Sequence, residues 1–190
     1  MNLEAFAATH LPGAPARVLE GGCGHGELAL AMARLEYDVL AIDPHAPEGD
    51  VFRRVSLEEL ADPGPFGAVV ANRSLHHIHD LPAAMEKIAR LLAPGGRLLL
   101  HEHAWDVVDE PTLRWFHEHG GQGNWRADHA GLHSSAAMLA ELAPRFDERW
   151  LEWTPYLHGE LGIEPEIERE AIASGAIRAT GFLYVGERRG

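Results

Sequence analysis

The apolar positions of this chain follow two rhythms. Residues 16–20, 39–43, 66–72 and 97–101 form short runs rich in Val, Leu, Ile and Ala. Runs of this kind predict strands buried on both faces, as in a parallel sheet. Between them lie stretches of helical character. Residues 27–35 are rich in Ala and Leu, which are strong helix formers. Residues 80–92 put Leu81, Met85, Ile88, Ala89 and Leu92 on one stripe, with Asp80 to cap the first turn and Pro82 within it. Pro94-Gly95-Gly96 then stops the helix. A short strand is predicted over 51–57, where Arg53 and Arg54 suit a sheet edge. Turns are expected at 47–50 and 62–65. In the lead-in, residues 1–15, Leu3, Phe6 and Leu11 suit a short packed helix ending near Pro12-Gly13.

Strand and helix alternate through residue 101, which predicts an α/β fold with mostly parallel strands and right-handed crossovers. The later pattern gives a helix over 110–119, a break at Gly120, Gly121 and Gly123, and a helix capped by Ser134 or Ser135 and running to Leu142. A strand over 146–153, a connection over 155–162, a helix over 164–172 and a last strand over 177–186 complete it. Residues 105–133 fit neither rhythm and read as a lid or insertion beside a functional site, carried on a rigid scaffold. The 190 residues suffice for one full core, and residues 1–190 read as a single domain.

Charge and composition narrow the partners. The formal net charge of -13 argues against a surface that tracks a phosphate backbone, so no nucleic-acid partner is expected. No apolar run is long enough to span a membrane, and the start lacks a secretory pattern, so a cytoplasmic protein is expected. Cys23 is the single cysteine, which excludes an intrachain disulfide or a cysteine metal cluster.

The most informative stretch is Val18-Leu19-Glu20-Gly21-Gly22-Cys23-Gly24-His25-Gly26. A buried strand ends in an acid and turns through glycines into a helix, so a ligand can approach the backbone and the helix N-terminus closely. Asp43 ends the next strand, where a carboxylate can accept hydrogen bonds from vicinal ribose hydroxyls. The spacing is Gly-x-Gly-x-Gly. Glu27 stands where the dinucleotide fingerprint has its last glycine, and a glutamate there would repel a pyrophosphate.

Glu20-x-Gly22-x-Gly24-x-Gly26 resembles the first motif of class I S-adenosylmethionine-dependent methyltransferases. Asp43 looks like the ribose-binding acid of that family. Phe66-Gly67-Ala68-Val69-Val70, then Ser74-Leu75-His76-His77-Ile78, resembles the fourth strand and its following turn. Leu91-Leu92-Ala93-Pro94-Gly95-Gly96-Arg97-Leu98 resembles the approach to the fifth. The resemblance implies a Rossmann-like methyltransferase fold: a seven-stranded, mostly parallel sheet in the order 3-2-1-4-5-7-6, strand 7 antiparallel, flanked by helices. It implies S-adenosyl-L-methionine as cofactor, with Glu20, Gly21, Gly22, Cys23, Gly24 and Gly26 at its amino-acid end. Asp43 would take the ribose, Pro44, Leu57 and Glu58 the adenine, and Asn72 and Arg73 the floor below the methionine part. The chain departs from the pattern at Ser56-Leu57, where an acid is frequent, and at Gly67, where an aspartate is.

The expected reaction is in-line methyl transfer to a small-molecule acceptor. A nicotinamide-dependent oxidoreductase and a catalytically silent cofactor-binding or assembly protein are the alternatives. An acceptor pocket belongs at the carboxyl ends of strands 4 and 5. His76, His101 and His103 are therefore the candidates for catalysis. His77, Trp105, Asp106, Trp115, Phe116 and Tyr156 are the candidates for substrate binding. The chain has 13 histidines, several between His101 and His133, but no dedicated metal motif, and no metal is expected. A monomer or homodimer is expected.

Overall fold

A computed structural model of the chain describes residues 3–61 and 64–189. The first half of the turn expected at 62–65, and residues 1 and 2 of the lead-in, lie outside them. The strands are β1 (Arg17–Gly21), β2 (Asp38–Ile42), β3 (Phe52–Arg53), β4 (Phe66–Asn72), β5 (Leu92–His103), β6 (Phe146–Thr154) and β7 (Gly181–Arg188). They form one sheet in the order β3-β2-β1-β4-β5-β7-β6. The pairs from β3 to β5 are parallel, while β7 runs antiparallel to both β5 and β6. This is the Rossmann-like methyltransferase topology implied by the motifs.

The helices are α1 (Leu3–His10), α2 (Glu27–Arg34), α3 (Leu81–Leu91), α4 (Glu110–Glu118), α5 (Trp125–Asp128), α6 (Ser135–Leu142), α7 (Leu157–Leu161) and α8 (Pro165–Ala173). Alternate residues of the central strands feed two cores. Leu19, Val69, Leu98 and Leu100 pack with α3 and α6 on one face. Val18, Val70 and Leu99 pack with α1 and α2 on the other. This two-sided burial explains the unbroken apolar runs. Local chemistry fixes the helix starts. The side chains of Asp80, Asp109 and Ser134 accept the backbone N–H groups of Ala83, Thr112 and Ala137.

The structure corrects four expectations. The third strand is two residues long, because the chain leaves the sheet after Arg53 and folds over Ser56, whose hydroxyl accepts the Glu59 N–H. The fifth strand begins at Leu92, which pairs with Phe66, so the Pro-Gly-Gly stretch lies within β5 at a register irregularity. Residues 177–180 lie outside the last strand, and there the Thr112 hydroxyl accepts the Arg178 N–H. The connection over 155–162 contains α7. The Glu168 carboxylate, fully buried, accepts the N–H groups of Tyr156, Leu157 and His158 at 2.8–3.0 Å and bonds the His158 ring at 2.7 Å. Glu168→Ala would leave buried amides unpaired, and about 3 kcal/mol of stability should be lost, with a fall in Tm of roughly 6–12 °C. Urea and thermal unfolding measure this. A loss under about 0.5 kcal/mol would show that the cap is dispensable.

Candidate functional site

The carboxyl ends of β1, β2 and β4 open on a cavity of about 670 Å³. Gly21 to His25, Asp43, Pro44, residues 55–58 and residues 71–75 line it, with His77 at one side. The glycine turn is built by steric need. Gly22, at φ 73°, approaches the Ser74 side chain so closely that an added Cβ would lie 2.5 Å from Ser74 Cβ. Gly26, at φ 83°, is the N-cap of α2, and a Cβ there would meet the Phe52 ring at 2.4 Å. Gly24, at φ 52°, faces open space, so only its backbone angle asks for glycine.

Asp43 ties the turn to the end of β2. Its two oxygens accept the Gly24 N–H at 3.2 Å and the His45 N–H at 2.7 Å. Each oxygen keeps acceptor capacity toward the cavity. Glu20 lies in an adjoining cavity of about 370 Å³, which shares Cys23, Glu27 and Asn72 with the first. Its side chain is buried, and Oε2 has no hydrogen-bond partner. Burial pushes the Glu20 carboxyl up to about 8, opposed in part by the Ala29 backbone N–H. A buried carboxyl short of a partner suits a cationic ligand group.

The expected cofactor residues converge. Gly21, Gly22, Cys23, Gly24, Asp43, Pro44, Leu57, Glu58, Asn72 and Arg73 all line the larger cavity. Glu20 lines the smaller one, and Gly26 acts through the cap of α2. Arg73 sits at φ 54°, a left-handed conformation that costs a non-glycine residue energy. Its N–H donates to the His101 carbonyl, and its Nε donates to the Tyr156 hydroxyl at 2.9 Å.

The three catalytic candidates separate. His101 bonds Asn72 Oδ1 at 3.0 Å and borders a different, smaller cavity. Burial, opposed by Glu102 and helped by Arg73, lowers its pKa to about 4. His103 is stacked on Tyr156, and burial with the nearby His129 lowers its pKa to about 3. Burial thus disfavours the charged form of both rings on β5. His76 differs, since its Nδ1 lies 2.5 Å from Glu102 Oε2. The same Glu102 accepts the Ser74 and Leu75 N–H groups, so it joins the end of β5 to the turn after β4.

The substrate candidates are more scattered. His77 lines the main cavity, and Tyr156 reaches it through Arg73. Asp106 is instead a helix cap, accepting the Ser135 N–H and hydroxyl at the start of α6. Phe116 packs edge-on against Trp125 in a separate apolar cluster, and Trp115 stacks on His119, so neither walls the cavity. Trp105 donates its indole N–H to the His133 carbonyl. His133 is itself fixed to the turn after β4 by bonds to the carbonyls of His76 and Ile78. Residues 105–133 thus dock on that turn. Glu102 and Glu168 also build this region, and the sequence does not mark them, because an acid in an alternating strand or on a helix carries no motif.

Comparisons with known proteins bear on the family and the fold. The chain is 43% identical over 116 residues to the ubiquinone biosynthesis O-methyltransferase of Xanthomonas campestris pv. campestris (strain B100), covering 53% of this chain and 48% of the relative. The chain therefore spans about half the length of the curated relatives it matches. Among solved structures, an S-adenosylmethionine dependent methyltransferase from Mesorhizobium loti superposes with a TM-score of 0.65 at 16% identity, covering 97% of this chain and 96% of the other. A geranyl diphosphate C-methyltransferase from Streptomyces coelicolor A3(2) gives 0.64 at 18% identity, covering 98% and 79%. At these identities the structural likeness speaks for the fold. The profile of the methyltransferase-domain family matches residues 2–160, and the chain belongs to that family.

Proposed function

We propose that this chain transfers a methyl group from S-adenosyl-L-methionine to a small-molecule acceptor. The observation that carries the reading is the placement of the glycine turn and the Asp43 carboxylate on one rim of the main cavity, with the unpartnered Glu20 carboxyl in the cavity beside it. These groups suit vicinal hydroxyls and an ammonium on one ligand. The bound cofactor supplies an electrophilic methyl on a sulfonium. Glu20 and the backbone from Gly21 to Gly24 hold the amino-acid end. Asp43 holds the ribose, Pro44, Leu57 and Glu58 enclose the adenine, and Asn72 and Arg73 form the floor. The protein's part is orientation and exclusion of water from the line of attack.

The name of the Xanthomonas relative favours oxygen as the methylated atom. A hydroxyl acceptor must lose its proton, and His76 is the candidate to take it, because the hydrogen-bonded Glu102 side chain orients its ring. His77 and the Arg73–Tyr156 pair border the acceptor side, and residues 105–133 form its cover. The test is transfer of labelled methyl from S-adenosylmethionine to a panel of phenols and catechols, with His76→Ala alongside. Turnover on at least one acceptor, reduced about 100-fold or more in the variant, is expected. Cofactor binding without turnover on any acceptor would favour the silent binding protein instead.

A further inference from the structure

A second constellation lies outside the proposed cofactor site. His103 at the end of β5, His129 just past α5 and Glu160 in α7 come from three separate segments, and one ligand atom from each lies within 4.8 Å of the others. Among the described residues, the buried Nε2 of His103 has no hydrogen-bond partner. The Nδ1–Glu160 Oε1 separation of 3.9 Å is too long for a hydrogen bond. His129 Nδ1 lies 2.7 Å from the Trp125 carbonyl. A carbonyl only accepts, so Nδ1 carries the proton and Nε2 presents its lone pair. Metal-ligating histidines are usually oriented in this way. Both rings are held by aromatic neighbours: His103 stacks on Tyr156 at 4.2 Å, and His129 lies 4.2 Å from Trp125.

Two imidazoles and a carboxylate make a common zinc donor set, with a fourth position left for water or another ligand. We propose that His103, His129 and Glu160 bind a divalent transition-metal ion of the zinc class. Side-chain closure to ligand separations of about 3.3 Å, as tetrahedral zinc requires, is the rearrangement needed. Glu160 supplies it readily, since its side chain is partly exposed. The ion would pin residues 105–133 and α7 to the end of β5. The inference does not depend on the methyl-transfer reading.

The experiment uses the full chain, stripped with a chelator and titrated with Zn²⁺ and with Co²⁺. One equivalent of zinc should bind with Kd below about 1 μM, and Tm should rise by roughly 5–10 °C at a hundredfold excess over Kd. Co²⁺ should give the visible absorption of a four-coordinate site. His103→Ala risks misfolding because the ring is buried, so Glu160→Gln and His129→Ala carry the test. Each should weaken zinc binding about 10-fold or more, while the His117→Ala/His119→Ala double variant should not. No stoichiometric binding to the folded wild type overturns the proposal. So does binding that survives Glu160→Gln and His129→Ala unchanged. S-adenosylhomocysteine affinity, measured on the same samples, reports on the cofactor site separately.

Discussion

Asp43→Ala is expected to weaken S-adenosylhomocysteine binding by about 30- to 1000-fold. Two charge-assisted hydrogen bonds from the ribose hydroxyls would be lost, a combined effect of roughly 2–4 kcal/mol. The same carboxylate accepts the N–H groups of Gly24 and His45, so the alanine variant also loosens the turn. Asp43→Asn separates the two effects. An amide oxygen can still accept from Gly24, but it has no charge and one oxygen fewer, and an intermediate affinity is expected. Isothermal titration of both variants reads the result. Wild-type affinity in Asp43→Ala would remove Asp43 from ribose binding.

Glu20→Gln should move stability and affinity in opposite directions. Burial raises the Glu20 carboxyl from 4.5 to about 8 in the folded chain. Its contribution to stability is therefore fully present below the unfolded pKa near 4.5 and is lost as pH rises through 8. Without ligand, the glutamine variant should be the more stable protein at pH 8, by on the order of 3 kcal/mol, and the gap should close toward pH 4.5. With ligand, the variant should lose affinity, because the amide cannot answer an ammonium with charge. If the ligand's ammonium meets Glu20 as proposed, it would ionise the carboxyl, and S-adenosylhomocysteine binding near pH 7 should release about one proton. Calorimetry in buffers of different ionisation enthalpy detects that proton, and urea unfolding at the two pH values reads the stability gap. A gap independent of pH, with no proton release, would place the Glu20 carboxyl in contact with water.

The central sheet and the lining of the main cavity were legible because local sequence determines them. The apolar runs of β1, β2, β4 and β5 are buried on both faces, and Asp80, Pro82 and Ser134 mark helix starts by chemistry confined to one turn. Gly22, Gly24 and Asp43 sit in a motif whose spacing reflects backbone geometry. The region after residue 104 was less legible because its order comes from contacts distant in sequence. Asp106 looks like a pocket acid but caps α6, and that role is visible only once Ser135 is beside it. Glu168 looks like one more charge on an amphipathic helix, yet three backbone amides donate to it. The surroundings of His103 are likewise set by residues distant in sequence. Burial first, then the neighbouring His129, His76 and Arg73, disfavour its charged form.

The position of β7 between β5 and β6 has a consequence for how the chain assembles. β6 finds its strand partner in β7, and β7 covers the side of β5 away from β4. During synthesis, the parallel half from β3 to β5 can close as soon as residue 103 has left the ribosome. The apolar edge of β5 then stays open while the next 85 residues emerge, the distance from His103 to Arg188. Closure waits for the most distant pairing in the sheet, which slows folding and leaves an adhesive strand edge exposed in the interval. The strongly negative charge of the chain is well placed to guard that interval, since partly folded copies repel one another before the last strand arrives.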